Sequence, residues 1–412
     1  MTQRWSKPAA IVALAAVFFA GGCARPSTPA STPTAVATAT VVPTPLPTSS
    51  PAPSPTPVPP GSGPLRAEGP RLVDAGGRAV RLSGVNWSGL ETSGFAPIGL
   101  NARNVDDMLD QIVAAGFNTL RLPFSNQLLE PTMRQTTINY RVNPSLKGLN
   151  GLGVLDYVVN GAGRRGLRVI LDRHRPTADG QTELWYTAKY PEERWIEDWL
   201  MLARRYRGNA AVIGADLSNE PHGAATWGDD NLATDWRLAA ERAGNAILEV
   251  NPDWLIIVEG VQHVGADTYW WGGNLSGAAE APVRLSRPEW LVYSAHDYGP
   301  EESGQSWLQA PDFPANLSAV WRSRWAYLQE QAIAPVLIGE FGGRSIGADA
   351  EGVWQRSLIS FLEQGEFSYT YWVWNPDAWI GGLLVDDRGT LDRAKLDLLR
   401  PSMAPLLGKA GR

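Results

Sequence analysis

Short apolar runs alternate with longer stretches of helical spacing, and the runs count to eight. That count constrains the fold more than any other feature. The runs are Leu82–Trp87, Thr119–Phe124, Arg168–Asp172, Val212–Ser218, Leu255–Glu259, Leu291–Ala295, Val336–Gly339 and Ser368–Trp374. Each is too short for a helix and fits a buried strand. Helical spacing of apolar residues occupies Val105–Ala115, Leu152–Arg165, Glu192–Tyr206, Asp235–Val250, Leu317–Gln331 and Val353–Gln364. Between the fifth and sixth runs, Val261–Glu289 reads as a long loop rich in Gly and Trp. Strand–helix alternation calls for a parallel sheet, and eight units predict an α/β fold of the (β/α)8 TIM-barrel type. A doubly wound open sheet is the rival, but it usually carries a glycine-rich nucleotide turn, and Gly148–Gly153 (GLNGLG) is not one. Ahead of the first run, Asp74-Ala75-Gly76-Gly77 predicts a hairpin turn between Arg71–Val73 and Ala79–Leu82.

In a barrel of this type the chemistry sits at the C-terminal ends of the strands. The second run carries Arg121. The third ends in Asp172-Arg173-His174, the fourth leads into Asn219-Glu220, and the fifth ends in Glu259. His296-Asp297-Tyr298 follows the sixth, Glu340 follows the seventh, and the eighth holds Trp372 and Trp374. Polar and aromatic groups thus converge on one rim. Glu220 and Glu340 are 120 residues apart, close to three units, which places them roughly across the barrel mouth. Two facing carboxylates are the equipment of glycoside hydrolysis, one protonating the leaving oxygen and one attacking the anomeric carbon. Either glutamate alone is equally well read as a salt-bridged rim residue. The pair together with the aromatics is not. Glu259 reads as structural, since the displacement needs only two carboxylates.

GVNWSGLET, NTLRLPF, LDRHRP, GADLSNEPHGAATWG, YSAHDY, GEFGG and YWVWNP follow one another over about Leu65 to Leu384. In that order they resemble glycoside hydrolase family five, the large cellulase family, and most of all its bacterial endo-β-1,4-glucanases. The resemblance implies Glu220 as general acid/base and Glu340 as the nucleophile of a retaining double displacement. It implies Arg121 beside Glu340, keeping it ionised and oriented. It implies Asn219 on the sugar 2-hydroxyl, Tyr298 donating to Glu340, His174 and His296 lining the cleaved subsite, and Trp372 as its sugar platform. Without it, His174 would read as a core histidine and Asn219 as a turn amide. A general acid must start protonated, so a raised pKa is expected for Glu220. Retention requires the two carboxyls at roughly 5–5.5 Å.

Tryptophan is abundant, at 18 residues. Trp offers a flat apolar face and one N–H, suited to stacking on sugar rings as well as to packing. Trp87, Trp185, Trp227, Trp270, Trp271, Trp307 and Trp379 fall in loops after strands. Of the tryptophans, Trp87, Trp227, Trp271 and Trp374 are expected to join Trp372 in substrate binding and to extend the cleft for endo action. Trp236, Trp325 and Trp354 lie in helical patterns and are expected to pack. The net charge of −6 has both signs dispersed, leaving no basic footprint for nucleic acid. No HExxH pattern or Cys cluster suggests a metal, and no cofactor is called for.

The only cysteine, Cys23, follows a charged start, the apolar run Ala9–Ala20 and two glycines. Residues 1–22 read as a secretory signal, too short for a membrane span of about 20 residues. They resemble a bacterial lipoprotein signal, with Cys23 lipidated, though Ala20 stands where Leu is usual. Cleavage and release is the alternative. Residues 24–64 contain thirteen prolines and one charge. They read as a semi-extended spacer that carries the body, residues 65–412, away from a membrane. The chain ends soon after Leu407 without an appended carbohydrate-binding module, which favours soluble or amorphous glucan. The expected protein is extracytoplasmic, monomeric, and directed at a β-glucan. A β-mannanase, xyloglucanase, mixed-linkage glucanase, β-glucosidase or transglycosylase would use the same machinery. A lipid-anchored sugar-binding protein with a dead site is the rival from a different class.

Overall fold

The structure is a computed structural model that describes residues 61–408. The expected signal, Cys23 and most of the spacer lie outside the described residues.

Eight parallel strands close into a barrel. They are β1 (Ser83–Asn86), β2 (Thr119–Ser125), β3 (Arg168–Arg175), β4 (Val212–Asp216), β5 (Leu255–Glu259), β6 (Leu291–His296), β7 (Val336–Glu340) and β8 (Ser368–Tyr371). β8 pairs with β1, so Tyr369 lies beside Ser83 and Tyr371 beside Val85, and no edge is left open. Nearly every strand residue is buried, as expected for a parallel sheet covered by helices. β8 ends at Tyr371, so Trp372 and Trp374 belong to the loop beyond it rather than to the strand.

The helices form for local reasons as well. In Val105–Ala115 the buried residues Val105, Met108, Leu109, Ile112 and Ala115 make one stripe. Asn104 caps its first turn by accepting from the Asp106 N–H, and Gly116 ends it at φ 105°, a conformation that favours glycine. Each fully buried Leu or Ile of such a stripe contributes about 1.5–3 kcal/mol. The stretch read as one helix over 317–331 is interrupted: Leu317–Trp321 passes through a wide π turn at Arg322–Ala326 into Tyr327–Glu330. Between β5 and Pro288 no helix forms among the described residues, only a small hairpin pairing His263–Val264 with Asp267–Thr268.

The N-terminal hairpin lies at the base of the barrel. Leu72 pairs with Val80 across the Asp74–Gly77 turn, and Arg66–Glu68 adds a third strand. Asp74 accepts from the backbone N–H of Gly76, Arg78 and Gly61. The folded body therefore starts earlier than Leu65, because Gly61 is already tied to the hairpin.

Candidate active site

Arg121 on β2 organises the rim. It is fully buried. Its Nη1 lies 2.5 Å from Glu340 Oε1, 2.9 Å from Asn86 Oδ1 and 3.1 Å from Asp172 Oδ2. Its Nε donates to Asp216 at 2.9 Å, and its Nη2 donates to Asn219 at 3.0 Å and Glu259 at 3.2 Å. Four carboxylates from four strands thus meet one guanidinium. A buried guanidinium is tolerable only with such partners. Burial works against its charge, but the four acids raise its pKa well above the usual value.

One cation cannot hold four buried carboxylates ionised. Burial pushes Asp172 and Asp216 each up to about 6 despite Arg121, and Glu259 up to about 8. One oxygen of Asp172 and one of Asp216 also lack any hydrogen-bond partner.

Glu340 closes β7. Besides Arg121, it accepts from the Tyr298 hydroxyl at 3.0 Å. His174 stands 3.8 Å from it and is held by Asp172 at 2.7 Å. Burial drives the His174 pKa down to about 3, so the ring is neutral. Trp372 stacks on His174, with centroids 5.4 Å apart and planes at 13°.

Glu220 lies four residues past the end of β4 and is buried in a left-handed conformation, φ 50°. Left-handed backbone is uncommon for a non-glycine residue and clusters at functional sites. Its Oε1 receives the Trp270 indole N–H at 2.8 Å and faces His296 Nδ1 at 3.0 Å. One oxygen of Glu220, one of Glu340 and a His296 nitrogen all lie within 4.8 Å of one another. Asn219 turns its Oδ1 to Arg121, while its Nδ2 is buried without a partner.

The raised pKa expected for Glu220 is not found in the open site. Burial raises it, but the His296 contact and charge and the Trp270 N–H outweigh burial and lower it. His296 is itself pushed up: burial opposes its charge, but Glu259, Glu340 and Glu220 prevail. In the free protein the proton therefore resides on the histidine side of this pair.

Three tryptophans expected to bind substrate do not face the cleft. Trp87 is fully buried and donates to the Ile98 carbonyl. Trp374 is fully buried against Phe117. Trp227 is buried and donates to the Ala281 carbonyl. Trp185 likewise lies in a core cluster with Trp195 and Trp236. A loop position after a strand does not decide which way an indole turns. Trp271, by contrast, is exposed and stacks on His222 at 3.9 Å and 9°. His222 Nδ1 in turn meets the Glu220 carbonyl at 2.7 Å.

Several site residues were missed by reading motifs alone. Asp216 and Asn86 were visible as lone polar residues inside apolar runs. Trp270 stood among the loop tryptophans with nothing to single it out. His222 carried no sequence signal beyond its place after Pro221.

The cellulase (glycosyl hydrolase family 5) model matches residues 73–378. An endoglucanase of Paenibacillus polymyxa is 51% identical over 353 residues, covering 84% of this chain and 89% of that one. The major extracellular endoglucanase of Xanthomonas campestris pv. campestris is 40% identical over 348 residues, covering 83% and 70%. A solved endocellulase from Pyrococcus horikoshii, in complex with cellotetraose, superposes with a TM-score of 0.79 at 38% identity, covering 84% of this chain and 100% of that one. On the barrel, the residues matched and these identities, the chain belongs to glycoside hydrolase family 5.

Proposed function

We propose that the protein is a retaining endo-β-1,4-glucanase. The observation that carries this is the Glu220–Glu340 pair, with one oxygen of each within 4.8 Å. Retaining enzymes hold their carboxyls about 5–5.5 Å apart, while inverting ones leave about 6.5–9.5 Å for a water.

Glu340 attacks the anomeric carbon, and the contacts from Arg121 and Tyr298 hold its carboxylate in aim. Glu220 delivers a proton to the departing glycosidic oxygen. That proton is held in the free site by the Glu220–His296 contact. Moving it onto Glu220 is favoured once substrate expels water and Glu340 begins to lose its charge to the sugar. In the second step Glu220, ionised, takes a proton from the water that hydrolyses the glycosyl-enzyme. The unpartnered Asn219 Nδ2 is a donor for the sugar 2-hydroxyl. Trp372, on the face of His174, is the platform for the ring being cleaved.

The substrate is a β-1,4-glucan, by likeness to the endoglucanases. The site is complete within one chain, which supports a monomer. Cys23 as a lipid anchor, with the Pro-rich segment as spacer, completes the proposal of an extracytoplasmic enzyme. Among the described residues no helix is long and apolar enough to cross a membrane.

The test is reducing-end release from carboxymethylcellulose, barley β-glucan, xyloglucan and glucomannan. Cleavage of the β-1,4-glucans, lost in Glu220→Ala and Glu340→Ala, supports the reading. Activity confined to mannan or xyloglucan moves the substrate. Binding without hydrolysis of any glycan would leave a sugar-binding protein and sink it.

A further inference from the structure

Glu259 is fully buried at the end of β5, and the displacement has no step for it. A structural role as one more counter-ion for Arg121 is the simplest account. It is incomplete, because Asp172, Asp216 and Glu340 already surround that guanidinium.

What sets Glu259 apart is that both of its oxygens lead to Glu220. Oε2 accepts from the Glu220 backbone N–H at 2.7 Å, pinning the residue whose φ is 50°. Oε1 lies 3.3 Å from His296 Nε2, which has no hydrogen-bond partner of its own. The other nitrogen of that ring faces the Glu220 carboxylate at 3.0 Å. The loop after β5 is built around this contact. A Cβ on Gly272 would fall 2.3 Å from Glu259 Oε2 and 3.0 Å from the Glu220 Cα. Gly272 is itself at φ 65°.

We propose that Glu259 is a positioning residue for the acid/base: one oxygen fixes the backbone of Glu220, and the other holds the His296 ring with its Nδ1 toward the Glu220 carboxylate. The inference rests on the glycosidase reading above. The chain Glu259–His296–Glu220 sets where the Glu220 carboxylate points and which side of the pair carries the proton. The charged and titratable groups facing this chain are Arg121 from β2, Asp172 and His174 from β3, Asp216 from β4, and Glu340 from β7, with Tyr298 beside Glu340.

Substrates that differ in their need for acid provide the test. Phenyl β-cellobioside has a poor leaving group and needs a proton donor. Dinitrophenyl β-cellobioside leaves without one. Glu259→Gln keeps an acceptor for the Glu220 N–H but turns a donor toward Arg121 and His296. Glu259→Asp keeps a carboxyl group and withdraws the oxygen from that N–H. General acid–base catalysis contributes about 10²–10⁴-fold, and a misplaced acid should forfeit part of it. The expected result in both variants is a fall in kcat/KM of roughly tenfold to hundredfold on the phenyl substrate, with less than about threefold on the dinitrophenyl substrate. Equal losses on both substrates, or none on either, would overturn the proposal and leave Glu259 a structural acid. A parent protein inactive on both would instead overturn the glycosidase reading itself.

Discussion

Two arginines are buried at opposite ends of the same barrel, and they are treated in opposite ways. Arg121, near the rim, meets four carboxylates and two amide oxygens. Arg168 begins β3 at the base and meets no anion among the described residues. It donates to the backbone carbonyls of Gly61 and Gly408, and its Nε and Nη1 have no partner. Burial lowers its pKa, whereas the surrounding acids raise that of Arg121. The base uses a cation to hold the backbone at Gly61 and Gly408 against the barrel. The rim uses one to concentrate negative charge where a sugar cation would develop. Conflict among buried charges is concentrated at the end that does chemistry, as expected where pKa values are tuned for function.

The largest effects should come from the two carboxylates that this arrangement serves. Glu340→Ala should cost on the order of 10⁴-fold or more in kcat, as removal of a nucleophile does elsewhere. Glu220→Ala should cost about 10²–10⁴-fold on substrates that need an acid. Azide added to each variant assigns the roles. Entry from the face left by Glu340→Ala gives the α-glycosyl azide, while attack on the glycosyl-enzyme in Glu220→Ala gives the β-anomer. The reverse pattern would exchange the two assignments.

Next comes the contrast of the arginines. Arg121→Met deprives four buried acids of the guanidinium they share, and breaking such a network costs about 3–5 kcal/mol. It should also abolish turnover. Arg168→Met strands no charge and should stay within about 2 kcal/mol of the parent, with activity unchanged. Denaturant midpoints and kcat/KM on one soluble glucan read both. A folded Arg168→Met without activity would erase the division between base and rim.

The division was partly legible beforehand. The strands were visible because a parallel sheet buried on both faces writes itself as continuous apolar runs. The rim was visible because strand ends carrying Arg121, Glu220, Glu259, His296 and Glu340 break those runs with charge. What was hidden depends on direction rather than position. Trp87 and Trp271 both follow strands, yet one indole turns under its loop to reach the Ile98 carbonyl and the other lies open on His222. The pKa of Glu220 was misjudged for a related reason. An apolar strand mouth predicts desolvation, but His296 at the end of β6 and Trp270 in the loop after β5 reverse its effect.

Stability against pH should separate the two ends with smaller changes. At the rim, Asp172, Asp216 and Glu259 are raised to about 6, 6 and 8. The folded state then keeps protons that the unfolded chain has released above the ordinary carboxyl range. Their contribution is full below about pH 4 and is lost as pH rises through those values. At the base, Asp74 shifts the other way: burial raises it, but the bonds from Arg78, Gly61 and Gly76 lower it further. Its contribution is present above about pH 4 and is lost as acid protonates it. Glu259→Gln should therefore flatten the decline in Tm between about pH 6 and 8, and Asp74→Asn the decline below about pH 4. Flattening of the same limb by both variants would refute the assignment.

The smallest effect sharpens the comparison within the rim. Trp271 is exposed beside His222, whose Nδ1 meets the Glu220 carbonyl. A sugar leaving from the oxygen that Glu220 protonates would pass over that face. Trp271→Ala should raise KM for long soluble glucans roughly fivefold to tenfold, a stacking contribution of about 1 kcal/mol. It should leave Tm within about 2 °C, because the ring covers little core. Trp87→Ala removes a buried indole and should cost about 3–5 kcal/mol of stability. On aryl cellobiosides, whose leaving group ends at one aromatic ring, the Trp271 effect should shrink. If it were equally large there, Trp271 would be supporting Glu220 through His222 rather than carrying a sugar.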